Sequence, residues 1–246
     1  IIVGDTKTPH EDYKDLEKRY KKVKYLSPEM QEKMYPKLSN IIGWRCIQRR
    51  NIGFVYAHNE LKADIVATVD DDNIPYSDWG KNIIVGSEVS CDMYETKCGY
   101  FDPLSVTNQK SLWHRGYPIQ LVKEKNNVVY LGQKTKKILV QANLWDGDPD
   151  IDAMARLIHS PLVKFEKLIR PFSTEQTTPF NSQNTLIARE AMPYYSVLPA
   201  TGRMDDIWGA YILQKYYPGC IAFDNATVYQ DRNLQDLVKN LEDEVI

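Results

Sequence analysis

The chain has 246 residues, 43% of them hydrophobic and 26% charged, with a formal net charge of −2. Such a balance suits a soluble globular protein of one large α/β domain or two small ones. It excludes a global basic field for nucleic acid, and the longest apolar runs fall far short of the ~20 residues of a membrane span.

Residues 1–3 form an apolar strand that enters a loop at Gly4 and Asp5, with Lys7 and Thr8-Pro9 continuing it. The run starts at Ile1 without Met, which is compatible with a trimmed piece that has lost a targeting segment. Residues 11–24 are highly charged, with Tyr13, Leu16 and Tyr20 near helical spacing, and predict a surface helix. A short second strand follows at 23–26, and Ser27-Pro28 opens a further helical turn. Residues 41–59 predict one helix, in which Ile47, Ile52, Val55 and Tyr56 recur at helix-like intervals. Arg45, Arg49 and Arg50 add positive charge to it. Each arginine alone reads as solvated surface; the sharper reading has Arg49 or Arg50, with Asn51, facing an acidic cleft and binding diphosphate.

Residues 65–69 are rich in β-branched side chains and predict a strand buried on both faces. The run ends in Asp70, Asp71 and Asp72. Unpaired charges of this kind do not continue into a core, so they belong at the strand's C-terminal edge, where open α/β sheets bind ligands. Clustered carboxylates there suit a hard divalent cation, Mg²⁺ or Mn²⁺, carrying a phosphorylated ligand. A solvated Asp-rich turn is the alternative.

Further on, residues 79–85 start a new segment, 87–102 read as irregular, and 104–106 begin a strand. Residues 113–118 are loop-like, and 128–131 and 137–142 are strands. The second of these runs into a new acidic loop containing Trp145, Asp146, Asp148 and Asp150, before a short helix at 152–158. Strands at 165–172 and 185–188 flank a polar loop at 177–184. Asp205 and Asp206 then open an apolar helix that ends near 217–219; two acids there also suit helix capping. Short strands at 221–223 and 227–229 precede a polar helix at 234–245. The expected fold is α/β, a single domain over 1–246 with a mostly parallel central sheet flanked by helices. Its nucleotide-binding half covers 1–75 and its acceptor-side half 76–246. Cys46, Cys91, Cys98 and Cys220 are scattered; Cys91 and Cys98 lie close enough to pair across a loop, but no zinc spacing or dense disulfide framework is present. A reducing, cytoplasmic location is therefore expected, with the Golgi lumen as the alternative if a membrane anchor was trimmed.

Three acidic clusters at strand ends or helix starts, in a chain of alternating elements, resemble a nucleotide-sugar glycosyltransferase of the GT-A (Rossmann-like) type. Val3-Gly4-Asp5-Thr6-Lys7-Thr8-Pro9 and Arg49-Arg50-Asn51-Ile52-Gly53-Phe54-Val55-Tyr56-Ala57 look like the STELLO-type proteins. So do Asn143-Leu144-Trp145-Asp146-Gly147-Asp148-Pro149-Asp150-Ile151-Asp152-Ala153 and Gly202-Arg203-Met204-Asp205-Asp206-Ile207-Trp208. A looser similarity links the chain to the reversibly glycosylated polypeptides, the plant UDP-arabinopyranose mutases. The resemblance runs from Val3 to about Glu244. One departure is plain: many GT-A enzymes supply a late His to the metal, whereas Tyr229-Gln230-Asp231-Arg232-Asn233 contains none, so the third protein ligand stays open.

The resemblance implies a metal-dependent transfer of sugar from a UDP- or GDP-linked donor to a hydroxyl of a glycan or other acceptor. Asp72 would hold Mn²⁺ or Mg²⁺, and Asp70, on the same side of an extended segment, would reach the ribose or a metal-bound water. Asp71 lies in the same donor-binding motif. Gly4 would let the backbone approach the base, Asp5 would bind base or ribose, and Lys7 and Arg50, beside Asn51, would neutralise phosphate. Trp145 would stack on a sugar face while Asp146 and Asp148 accept its hydroxyls. Asp205 or Asp206 would take the acceptor proton if the enzyme inverts, with Asp206 the choice for the cleft and the other acid capping the helix or binding Arg203. Competing readings are a nucleotidyltransferase, disfavoured by the lack of a Gly-rich phosphate loop; a mutase acting on the nucleotide sugar; and a non-catalytic nucleotide-sugar-binding partner of another enzyme.

Overall fold

The computed structural model describes residues 1–159 and 162–244. It divides into one unit of residues 1–64 with 197–199, and a second holding the rest of the described chain.

In the first unit β1 (Ile2–Val3) pairs in parallel with β2 (Tyr25–Leu26). The connecting α1 (His10–Arg19) buries none of its residues, as its charge leads one to expect. Ser27 caps α2 (Pro28–Met34), accepting the Met30 N–H at 3.3 Å, with Pro28 at the first helical position. Leu26, Ile52 and Tyr56 form the core, with Val3, Met30, Met34 and Leu38 packed against them.

The single helix expected over 41–59 is broken. α3 (Pro36–Ile42) stops at Gly43, whose φ of 75° is left-handed and ends a helix cheaply only for glycine. After a 3₁₀ turn at Ile47–Arg49, α4 (Arg50–Asn59) starts afresh. The break turns Arg49 inward, to 3% exposure. Its Nε donates to Gln31 Oε1 at 3.0 Å, its Nη1 to Ser39 Oγ at 3.0 Å and Gly43 O at 3.1 Å, and its guanidinium stacks 3.6 Å over Trp44. Arg49 thus ties α2 to α3 and is no diphosphate ligand.

The second unit contains β3 (Ile65–Val69), β4 (Asn73–Pro75), β5 (Glu88–Thr96), β6 (Val128–Lys137), β7 (Val140–Asn143) and β8 (Asp146–Gly147). α5 (Ala153–Ile158), β9 (Phe172–Ser173), β10 (Asn184–Ala188), α6 (Asp205–Tyr216), β11 (Ile221–Asp224), β12 (Val228–Gln230) and α7 (Leu237–Glu244) follow. Val245, the expected end of the last helix, lies outside the described residues. The main sheet is seven-stranded, in the order β3-β10-β7-β11-β9-β5-β6. It is mixed rather than mostly parallel. Only β7–β11 and β5–β9 run parallel; β10 enters between β3 and β7 and opposes both, and β5–β6 is a long antiparallel pair. The architecture is mixed α/β.

β7, β10 and β11 are buried at every residue. β3, at the end of the seven-stranded order, is not buried on both faces: only Thr68 is fully buried and Val69 is 41% exposed. The segment 87–102, read as irregular, holds β5, whose inward positions Cys91 and Met93 are buried while polar residues alternate outward. The strand expected at 104–106 is a 3₁₀ turn, Pro103–Val106, opened by Asp102, which accepts the Leu104 N–H at 3.2 Å. The strand expected at 165–172 shrinks to β9. All four cysteines are free thiols. No helix among the described residues is long and apolar enough to cross a membrane.

A second sheet of the order β4-β12-β8 positions the site. β3 passes into β4 through residues 70–72, β7 into β8 through 144–145, and β11 into β12 through 225–227. Three strands of the large sheet therefore each continue into one strand of the small sheet, which gathers their ends. Gly147 permits this: at φ 89°, a Cβ there would lie 2.4 Å from the Gln230 carbonyl oxygen.

Candidate functional site

Asp70 to Asn73 form a turn, closed by the Asn73 N–H on the Asp70 carbonyl at 3.2 Å. The segment is not extended, so the alternation argument that put Asp70 and Asp72 on one face does not hold. Asp71 is exposed, while Asp70 and Asp72 are half-buried. The Asp72 carbonyl accepts the Asp231 N–H at 2.9 Å, prolonging the β4–β12 ladder. Its carboxylate Oδ2 lies 3.4 Å from Gln230 Nε2, and its Oδ1 is buried with no hydrogen-bond partner.

Gln230 leads onward. Its Oε1 accepts from Arg232 Nη2 at 3.1 Å, and Arg232 Nη2 lies 3.5 Å from Asp150 Oδ1. Asp150 is the hub of a buried network. Arg115 Nε sits 3.0 and 2.9 Å from its two oxygens, Arg115 Nη2 lies 2.5 Å from Oδ2, Arg203 Nη2 approaches Oδ1 at 3.3 Å, and Asn181 Nδ2 donates to Oδ2 at 2.9 Å. Burial alone would raise the Asp150 pKa; Arg115, Arg232 and Arg203 outweigh it and hold the carboxyl well below the usual value. Burial likewise opposes the Arg115 charge, and Asp150 and Asp206 overcome it, raising that pKa further.

The α6 acids join the same network. Asp206 Oδ1 lies 3.1 Å from Arg115 Nη2, and Oδ2 accepts the Ser182 N–H at 2.8 Å and the Ser182 hydroxyl at 3.1 Å. Asp205, the first residue of α6, accepts the Asp206 N–H on its Oδ1 at 2.8 Å; the N-cap position itself is Met204, which has no side-chain cap. Arg203 pairs with Glu244 at 2.7 Å and with Asp150. Glu244 also accepts the Ala153 N–H at 2.7 Å, which docks α7 on the start of α5. Beside it Asp152, the α5 cap, is pushed up to about 6 by burial and by the Glu244 charge.

The second acidic loop differs from expectation. Trp145 is 3% exposed and packs edge-on against His114, ring centroids 5.6 Å apart, so it has no open face for a sugar. Asp146 is 6% exposed; its oxygens accept the Tyr76 hydroxyl at 2.9 Å and the Phe165 N–H at 2.8 Å, which brace β8. Asp148 pairs with Arg156. Every residue from 138 to 147 is buried, so Trp145 and Asp146 are covered whichever face they take, which the polar look of the loop conceals.

In the first unit, Gly4 admits an aromatic ring: a Cβ there would lie 2.3 Å from the Tyr25 hydroxyl. Asp5 staples its own loop, accepting the Thr6 N–H at 2.5 Å and the Cys46 N–H at 3.1 Å. Burial opposes its ionisation, but backbone N–H groups of Arg45, Thr6 and Cys46 prevail and lower its pKa. Lys7 is exposed and Arg50 half-buried at the start of α4. The Asn51 amide clamps Val197, donating to the carbonyl at 2.7 Å and accepting the N–H at 2.8 Å.

The structure thus links Asp72 to Asp150 and Asp206 through Gln230, Arg232 and Arg115. Asp150 belongs to the second acidic loop of the sequence, but its role as the hub, and those of Gln230, Arg232 and Arg115, are not legible there because the partners lie far apart in the chain. The donor set at Asp72 fits a divalent cation of the phosphate-bound kind. Such ions use one or two carboxylates and complete their shell with substrate phosphates and water; Asp72 offers one buried carboxylate oxygen with no protein donor on it. Among the described residues no group of three or more His, Cys, Asp or Glu side chains is placed to form an all-protein cage. Comparison with known protein families and with curated proteins finds no match to the chain.

Proposed function

We propose that the protein is a metal-dependent glycosyltransferase of the GT-A type, moving a sugar from a UDP- or GDP-linked donor to a hydroxyl acceptor, with Mn²⁺ or Mg²⁺ as cofactor. The observation that supports it is the small sheet. It joins Asp72, with its unsatisfied buried oxygen, to Asp206 of a distant acidic motif through one polar network. Asp72 would hold the cation, which stabilises charge on the leaving diphosphate. The arginines around Asp150 fix the geometry of the acids, since a guanidinium fork holds a carboxylate in one orientation.

A second reading, a nucleotide-sugar-binding protein without transfer, is favoured by one feature. Asp206 is 6% exposed: its Oδ2 accepts two donors from Ser182 and its Oδ1 is buried beside the Arg115 guanidinium, which leaves it little access to a substrate proton. A panel of nucleotide sugars, assayed for hydrolysis and transfer with Mn²⁺ and with chelator, decides between them. Metal-dependent turnover that disappears in Asp72→Ala is expected. Metal-dependent binding without turnover supports the second reading, and binding indifferent to chelator overturns the role of Asp72.

A further inference from the structure

Three arginines converge on Asp150, and they differ in one atom. Arg115 Nε donates to Asp150 at 3.0 and 2.9 Å, and Arg203 Nε donates to Glu244 at 2.7 Å. Arg232 Nε is buried and has no partner, although the side chain is only 10% exposed and its Nη2 is held by Gln230 and Asp150. A desolvated guanidinium N–H without an acceptor is costly and calls for a ligand. On the other side of Gln230, Asp72 Oδ1 is a buried acceptor in the same condition.

Gln230 sets the spacing between the two. Its amide nitrogen faces the Asp72 carboxylate and its amide oxygen faces the Arg232 guanidinium, so a flipped amide would set acceptor against acceptor and donor against donor. The unsatisfied acceptor and the unsatisfied donor therefore flank one fixed amide. A ligand meeting both carries positive charge toward Asp72 and an anionic oxygen toward Arg232. The charges agree with a cation: the connected network counts the carboxylates of Asp72, Asp150, Asp206 and Glu244 against the guanidiniums of Arg115, Arg203 and Arg232.

We propose that Arg232 is an oxyanion-binding residue, its Nε donating to a phosphate oxygen of a diphosphate whose counter-cation sits on Asp72. The inference rests on the nucleoside-diphosphate reading above and adds to it a specific donor, from a segment where the metal-ligand pattern had offered nothing. Arg232 would recognise the cation and phosphate as one unit, through a planar donor that lysine does not reproduce.

Calorimetry with inorganic pyrophosphate, UDP, GDP and orthophosphate, each with Mn²⁺ and with chelator, tests it on the unmodified protein and on Arg232→Lys. The expected result is Mn²⁺-dependent binding of the diphosphates, weakened about tenfold or more in Arg232→Lys, with orthophosphate bound poorly. Equal diphosphate affinity in the variant, within twofold, overturns the role of Arg232 and leaves the wider reading standing. Absence of any Mn²⁺-dependent diphosphate binding by the unmodified protein overturns the wider reading itself. A measurement free of any folding defect in the variant uses the unmodified protein: its Arg232 Nε–H resonance should shift when Mg²⁺-pyrophosphate is added, and an unmoved resonance under saturating ligand also refutes the contact.

Discussion

Replacing Asp206 by Asn removes a charge while keeping the shape, and the structure says where the loss falls. The carboxylate is 6% exposed; its Oδ2 accepts the Ser182 N–H at 2.8 Å and the Ser182 hydroxyl at 3.1 Å, and its Oδ1 forms an ion pair with Arg115 Nη2 at 3.1 Å. An asparagine must turn its NH₂ toward one side. Toward Arg115 it sets donor against donor and forfeits the ion pair with a buried guanidinium. Toward Ser182 it opposes a backbone N–H that has no rotational escape. Arg115 keeps its paired contacts to Asp150, so the loss stays below the ~3–5 kcal/mol of an abandoned buried charge. The expected destabilisation is about 2–3 kcal/mol, which lowers the melting temperature by roughly 4–12 °C for a unit of this size. Urea unfolding at pH 7 measures it, in a double-mutant cycle with Arg115→Met that should show at least about 1 kcal/mol of coupling. A loss under about 0.5 kcal/mol, or additive single changes, would refute this account of the network. The sequence alone assigns the stability role to the neighbouring Asp205.

Asp152→Asn keeps a good helix cap and removes a carboxylate whose folded pKa, about 6, stands above its ordinary 3.8. A raised carboxyl favours the fold below the unfolded pKa and loses that advantage as pH rises through 6, so the variant should be more stable by up to about 3 kcal/mol near pH 7.5, the gain shrinking toward pH 4; a pH series of melting temperatures checks the sign. Gly147→Ala should cost at least about 2 kcal/mol in urea unfolding, because the added methyl meets the Gln230 carbonyl at 2.4 Å in a left-handed backbone. Arg49→Lys should cost about 2–3 kcal/mol and loosen α3, since lysine reproduces neither the fork to Gln31 and Ser39 nor the stacking on Trp44; faster amide exchange over Pro36–Ile42, or its absence, answers this.

Local signals in the sequence carried some elements well. β3 and its acidic end, the capped turn at Ser27, and the strands around 140 and 221 are periodic, bounded segments whose neighbours in sequence determine them. Gly43 was a readable stop inside the 41–59 pattern, outweighed there by the apolar spacing. Strand direction was not readable: β10 pairs with β3 across more than a hundred residues, and nothing local says that it runs against it. β5 was hidden because its outward positions are Ser90, Asp92 and Tyr94, which resemble loop composition once the buried Cys91 and Met93 are not recognised as a face. The acidic residues of the site were visible as clusters. The pairing of Arg115 with Asp150 was not, since the two stand 35 residues apart and nothing local links them.

The hand-over of three strands from the large sheet to the small one has a kinetic consequence. Asp72 and Gln230 meet across 158 residues of chain, with β12 lying between β4 and β8. Contacts so distant in sequence form late, after the entropy of closing the intervening loops has been met by other contacts. A chain emerging from the ribosome can assemble the β5–β6 hairpin, and pair β10 with β3 and β7, before residue 228 exists. Until then Asp72, Asp148 and Asp150 lack the segment that brings Gln230 and Arg232 to them. The acidic centre is thus the last part of this unit to mature, and refolding followed by an intrinsic signal of the large sheet should run ahead of the recovery of ligand binding.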